Sequence, residues 1–159
     1  MIFTAPLFIK LAKKADGKKY HINLNNYRNW NFIVSNNLKK HYKALLESQL
    51  AGFSVDKYIR INFTMHRGDK RRVDRANVLS IHEKFFCDAL VEYGCLPDDN
   101  DEYIESSHYY TGAIDKESPR VEVAIEFVDK IAHRGLLGGV DNLSIVKSNN
   151  EVIVALLSR

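Results

Sequence analysis

Two periods run through this chain, and each marks a kind of element. In "YIRINFTMH" the apolar residues Ile59, Ile61, Phe63 and Met65 return at every second position, the signature of a strand with one buried face. "RVEVAIEFV" repeats it, with Val121, Val123, Ile125 and Phe127 expected inside and Glu122, Ala124 and Glu126 outside. Two other stretches repeat at spacings of three and four. Leu38, Tyr42, Leu45, Leu46 and Leu50 predict a helix opened by Ser35 as N-cap and stopped by Gly52. Leu79, His82, Phe86, Leu90 and Tyr93 predict a second over residues 75–93, with Asp74 as N-cap and Gly94 as its stop.

The remaining segments fill in around these. "IFTAPLFIKLA" is rich in β-formers and reads as one first strand, ending in a turn at Asp16 and Gly17. "HINLNNYRNWN" is polar and Asn-rich and reads as an irregular surface loop. "YIESSHYYTGAID" reads as a strand, parted by Pro119 from the one at 120–128. "LSIVKSNNEVIVALL" reads as a C-terminal hairpin turning at Ser148, Asn149 and Asn150, after a glycine-containing loop. The order β-α-β-α-β-β predicts an α+β fold, one mixed sheet carrying two main helices. A length of 159 residues fits one domain.

Composition narrows the class. Hydrophobic residues at 45% and charged residues at 27% exclude a disordered or fibrous chain. No segment approaches the ~20 apolar residues that span a bilayer. The opening "MIFTAPLFIKLAKK" has neither a basic n-region nor a small-residue cleavage site. Cys87 and Cys95 are the only cysteines. Reduced thiols, a cytoplasmic location and no membrane partner are therefore expected.

Charge changes the picture more. The formal net charge is +3, and residues 66–75 alone hold Arg67, Lys70, Arg71, Arg72 and Arg75 against Asp69 and Asp74. The excess is local. This basic run lies between a predicted strand and a helix N-terminus, where unpaired backbone N–H groups and the helix dipole favour phosphate. Asp74 can cap that helix, bind a divalent metal, or do both. A second acidic group follows the helix: Asp98, Asp99, Asp101 and Glu102. Mg²⁺ takes one or two carboxylates together with waters and phosphate oxygens. Asp74 with Asp98 or Asp99 would serve if the fold or a dimer partner brings them together; otherwise the group is a solvated turn. It is no calcium loop, because Tyr103 and Tyr109 stand where glycine and glutamate are required. The six histidines lack metal-ligand spacing. "GLLGGVD" neither follows a strand nor opens a helix, as a dinucleotide fingerprint must.

"RRVDRAN", an apolar helix with "KFFCDALVEYG", and "LPDDND", preceded by the Asn-rich "LNNYRNW", resemble in order the RusA family of phage and bacterial Holliday junction resolvases. The likeness covers roughly residues 20–128, and the tail after Asp129 has no counterpart in it. It implies a RusA-like domain over residues 1–129 and a C-terminal extension, residues 130–159, packed on the same domain. It also implies a cytoplasmic homodimer in a bacterial or phage-infected cell, cutting four-way DNA junctions in recombination and repair with Mg²⁺, or Mn²⁺ in its place. By position, Asp74 and Asp99 become metal-binding and catalytic, with Asp98 a further ligand. Arg67, Lys70, Arg71, Arg72, Arg75 and Asn77 become the DNA contacts. The family's second aspartate falls on Ala76, which cannot hold a metal. Its catalytic lysine falls on Lys84 by the "K-F-F-C-D" phrase. Counted from Asn77, Ser80 takes that place instead, leaving Lys70 or Arg72 to supply the charge.

Three functions are compatible with these residues. The first is a metal-dependent, structure-selective endonuclease, in which Asp69, Asp98 or Asp101 replaces the missing ligand. The second is a catalytically degenerate relative that binds DNA junctions. The third is a protein-interaction module built on the helix and the added hairpin. A steep salt dependence of DNA binding separates the third from the others, and nicking separates the first from the second.

Overall fold

The computed structural model describes residues 1–11, 17–128, 143–148 and 151–156. They form β1 (Ile2–Pro6), β2 (Phe8–Leu11), β3 (Lys18–His21), α1 (Leu24–Asn29), α2 (Phe32–Leu50), β4 (Tyr58–His66), α3 (Arg75–Glu92), β5 (Ile104–Thr111), β6 (Arg120–Val128), β7 (Leu143–Ser148) and β8 (Glu151–Leu156). Contacts divide the chain into two units, Met1–Asp129 and Lys130–Arg159. In the second, β7 and β8 pair antiparallel, with Leu143 opposite Leu156 and Ser148 opposite Glu151. The turn residues Asn149 and Asn150 and the "GLLGGVD" segment lie outside the described residues.

The first unit is an α+β fold around one mixed sheet of order β1-β6-β4-β5. β4 runs parallel to β5, and β6 is antiparallel to both β4 and β1. A parallel pair needs a crossover, and α3 supplies it. The period-two residues of β4 and β6 fill one face: Ile59, Ile61, Phe63, Val121 and Val123 are fully buried. Phe3, Phe63 and Val123 stand in one row across three strands. Phe86 of α3 packs on that row, its ring centroid 5.6 Å from Phe3 and 6.0 Å from Phe63. Leu38, Tyr42, Leu46 and Leu50 give α2 a buried stripe at every fourth residue. Polar groups occupy the opposite face of the sheet, where Arg60 Nε donates to Glu105 at 3.0 Å and Asn62 donates to Glu126 at 2.8 Å. Among the described residues no helix is long and apolar enough to cross a membrane.

Several expectations need correction. The first strand is two, because the chain turns at Leu7. Beyond it, β2 leaves the main sheet and pairs with β3 instead, Phe8 opposite His21, and Ile22 N–H donates to the Leu7 carbonyl at 3.0 Å. The Asn-rich stretch is no irregular loop. It holds α1, whose cap Asn23 accepts from Asn26 N–H at 2.8 Å. α2 starts before Ser35, capped by Asn31, whose side chain accepts from Val34 N–H at 2.9 Å; asparagine caps as well as serine does. Leu45 lies off the buried stripe and is 51% exposed. Phe127, expected inside, is 48% exposed. It sits opposite Ile59, beyond the last β1–β6 pair at Ile2 and Ala124, so among the described residues no strand pairs with it on that side.

Candidate nucleic-acid interface

The basic loop joins β4 to α3, and its own contacts decide which charges remain available. Asp69 accepts from Arg71 three times, from the backbone N–H at 2.9 Å and from Nε and Nη2 at 2.9 and 2.7 Å. This tight turn consumes one acid and one base. The Arg71 hydrogen bonds hold the Asp69 carboxyl below the usual carboxylate range. Arg67 Nη1 donates to the Arg71 carbonyl at 2.5 Å, and the Arg67 carbonyl accepts from Asp115 N–H at 2.8 Å. Gly68 lets the loop approach Pro119, because a Cβ there would sit 2.8 Å from the Pro119 ring. The loop is thus pinned at its root. Lys70, Arg72 and Arg75 are exposed and, unlike Arg71, have no ion-pair partner among the described residues.

Asp74 caps α3 as expected, accepting from Asn77 N–H at 3.2 Å. The Asn77 side-chain oxygen accepts from Asn25 N–H at 3.1 Å. It therefore braces α1 against the start of α3 and engages the side-chain oxygen of a residue expected to contact DNA. Ala76 is exposed on the first turn.

Two cavities flank α3. One, an open cleft of about 440 Å³, lies between the β2–β3 strands and the basic loop, and Arg67, Arg71 and Arg72 line it. The other, of about 490 Å³, is lined by Ser80, Glu83 and Lys84 of α3 and by Asp99, Asn100 and Asp101 of the following loop. Lys84 and Asp99 are therefore brought to one place. Asp74 is not: ten residues of helix separate it from Lys84, ~15 Å at ~1.5 Å per residue. Asp98 closes its own turn, accepting from Asp99 N–H at 2.9 Å and Asn100 Nδ2 at 2.8 Å. Among the described residues no group of three or more His, Cys, Asp or Glu side chains could hold a metal ion. Asp99 lines the second cavity, and Asp74 and Asp98 are not among its lining residues. For Asp74 the reason is length: it begins an 18-residue helix whose far end leads into the acidic turn.

Other residues of the compared phrases have structural duties. Asp88, of "CDAL", pairs with Lys39 of α2 at 2.5 Å. Cys87 is buried, and desolvation first, then the nearby Glu83, Asp99 and Asp88, push its thiol pKa up, away from nucleophilic chemistry. Glu83, which accepts from the Tyr109 hydroxyl, and Phe8, Lys19 and His21 beside the basic cleft were missed from sequence. The latter three needed a β2–β3 pairing that four-residue strands hardly signal.

No protein-family model matches the chain, and no curated protein sequence matches it.

Proposed function

We propose that the chain is a RusA-like protein that binds branched DNA, gripping the backbone with Lys70, Arg72 and Arg75 at the N-terminus of α3. One observation carries this reading. Three exposed cations without a carboxylate partner among the described residues, Lys70 and Arg72 on the pinned loop and Arg75 on the first turn of α3, fall within six residues of one another. The four short phrases and the mixed sheet with two main helices agree with the likeness. Homodimerisation follows from the same likeness, and gel filtration should place the protein above the 18.3 kDa monomer.

A second reading, metal-dependent cleavage of four-way junctions, is favoured by the shared cavity of Lys84 and Asp99. Among the described residues Asp74 does not line that cavity, so this reading takes its further carboxylate from a partner subunit.

A labelled four-way junction tests both. Binding in chelator is expected, with log affinity falling against log salt by ~0.9 for each phosphate contacted. Flat salt dependence, or no binding at low salt, would remove the DNA reading. Symmetric nicking with Mg²⁺ or Mn²⁺, lost in Asp99→Asn and Lys84→Ala, would establish cleavage. Nicking that appears only in Ala76→Asp would identify a binder descended from a nuclease.

A further inference from the structure

The cleft beside the basic loop is built differently from a plain phosphate-binding surface. Leu7, Ile22, Met65, Val78 and Pro119 line it with apolar surface, while Lys19, Arg67 and Arg72 line it with positive charge beside the mutually paired Asp69 and Arg71. Two rings, Phe8 and His21, belong to the same lining and lie with centroids 5.9 Å apart, tilted by 54°. Lys19 Nζ rests 3.5 Å from the centre of the Phe8 ring. Arg67 Nε is buried without a hydrogen-bond partner among the described residues, while Nη1 of the same guanidinium donates to the Arg71 carbonyl. His21 is held below its ordinary pKa by desolvation first and then by Lys19 and Arg71, which favours a neutral ring at pH 7. Its volume of about 440 Å³ falls in the ~300–1,000 Å³ range of small-ligand sites.

Cations around an aromatic and apolar surface are what an unpaired nucleotide requires. The phosphate needs charge, and the base needs a face to stack on. A peptide carboxylate would use the cations but leave the rings idle. Paired duplex would reach the cations but keep its bases from Phe8.

We propose that this cleft takes one unstacked nucleotide of the bound DNA, its phosphate drawing the Lys19 ammonium off the Phe8 ring and binding Arg72 as well, and its base taking the vacated ring face against the apolar wall. The proposal rests on the DNA-binding reading above and narrows the substrate: branch points and single-stranded ends offer such a nucleotide, and continuous duplex does not.

The test is a double-mutant cycle between protein and DNA. Affinity is measured for a four-way junction and for the same junction made abasic at its branch-point positions, with wild type, Phe8→Ala and Phe8→Trp. Phe8→Ala is expected to weaken binding of the intact junction roughly tenfold, as loss of one stacked base does. The abasic junction should bind wild type about as weakly, with no further loss in Phe8→Ala, and Phe8→Trp should restore affinity for the intact junction. The slope with salt should be unchanged by Phe8→Ala and should fall by ~1 in Arg72→Ala. Because the abasic arm uses unaltered protein, misfolding of a variant cannot mimic the result. Equal binding of intact and abasic junctions by wild type, or strictly additive losses, would overturn nucleotide capture while leaving DNA binding in place. No binding of any junction at low salt would overturn both.

Discussion

Reversing three charges, Lys70→Glu, Arg72→Glu and Arg75→Glu together, should lower affinity for a four-way junction by roughly 10²- to 10³-fold at ~0.1 M salt. The same change should flatten the salt dependence by about three phosphate contacts' worth. None of the three side chains is buried or engaged in an ion pair among the described residues, so the variant should melt within a degree or two of wild type. That combination separates a binding defect from a folding defect. Arg71→Glu is the contrasting case. Its guanidinium is already committed to Asp69 by two hydrogen bonds, so its loss would loosen the loop more than remove a phosphate contact. If Arg71→Glu weakens binding as much as the triple variant does, or if the triple variant does not weaken it, the division of labour proposed for this loop is wrong.

How far the sequence foretold this arrangement depends on the length of each pattern. α3 was legible almost to the residue, because its apolar positions continue for four turns between Asp74 and Gly94, and Gly94 takes the left-handed conformation at φ +69° that ends a helix. β4 was legible from four alternating apolar residues. α1 was not: six residues lie below the length at which a helix announces itself by periodicity, and this one depends on its Asn23 cap and on the Asn25–Asn77 bond. Phe127 misled because alternation says which side a residue faces, not whether a neighbouring strand reaches far enough to cover it. In the site, the cations were legible as residues but their pairing was not. A run of five reads as five contacts until Arg71 is seen bound to Asp69. The separation of Asp74 from Lys84 did follow from helical rise alone. That Asp99 returns to Lys84 rather than to Asp74 required the path of the chain after α3.

The second large effect is on stability and comes from the core. His82 is completely buried, with Nδ1 3.1 Å from the Tyr42 hydroxyl and Nε2 without a partner. Desolvation lowers its pKa from 6.5 to about 3, while burial pushes the Tyr42 hydroxyl pKa upward, so that group keeps its proton. The unfolded chain therefore binds a proton at His82 below pH 6.5 that the folded chain refuses until about pH 3. The contribution to stability is fully present above pH 6.5 and is lost as pH falls through that interval, at about 1.4 kcal/mol per pH unit and on the order of 5 kcal/mol in all. Above about pH 5.5 most carboxylates are still ionised, so the histidine dominates there; His21, lowered in the same direction but exposed, adds a smaller slope of the same sign, and nearer pH 4.5 so does Glu122, whose carboxyl Arg120 holds low. Urea unfolding at half-unit steps should show stability falling by about 2–3 kcal/mol over those two units. The double substitution His82→Leu with Tyr42→Phe removes both polar groups at nearly constant volume and should remove most of that slope. A single His82→Leu is less informative, because it strands the Tyr42 hydroxyl in the core at a cost of about 1–3 kcal/mol. Stability that stays level from pH 6.5 to 4.5 in the wild type, or falls equally in the double variant, would show that His82 accepts its proton inside the fold.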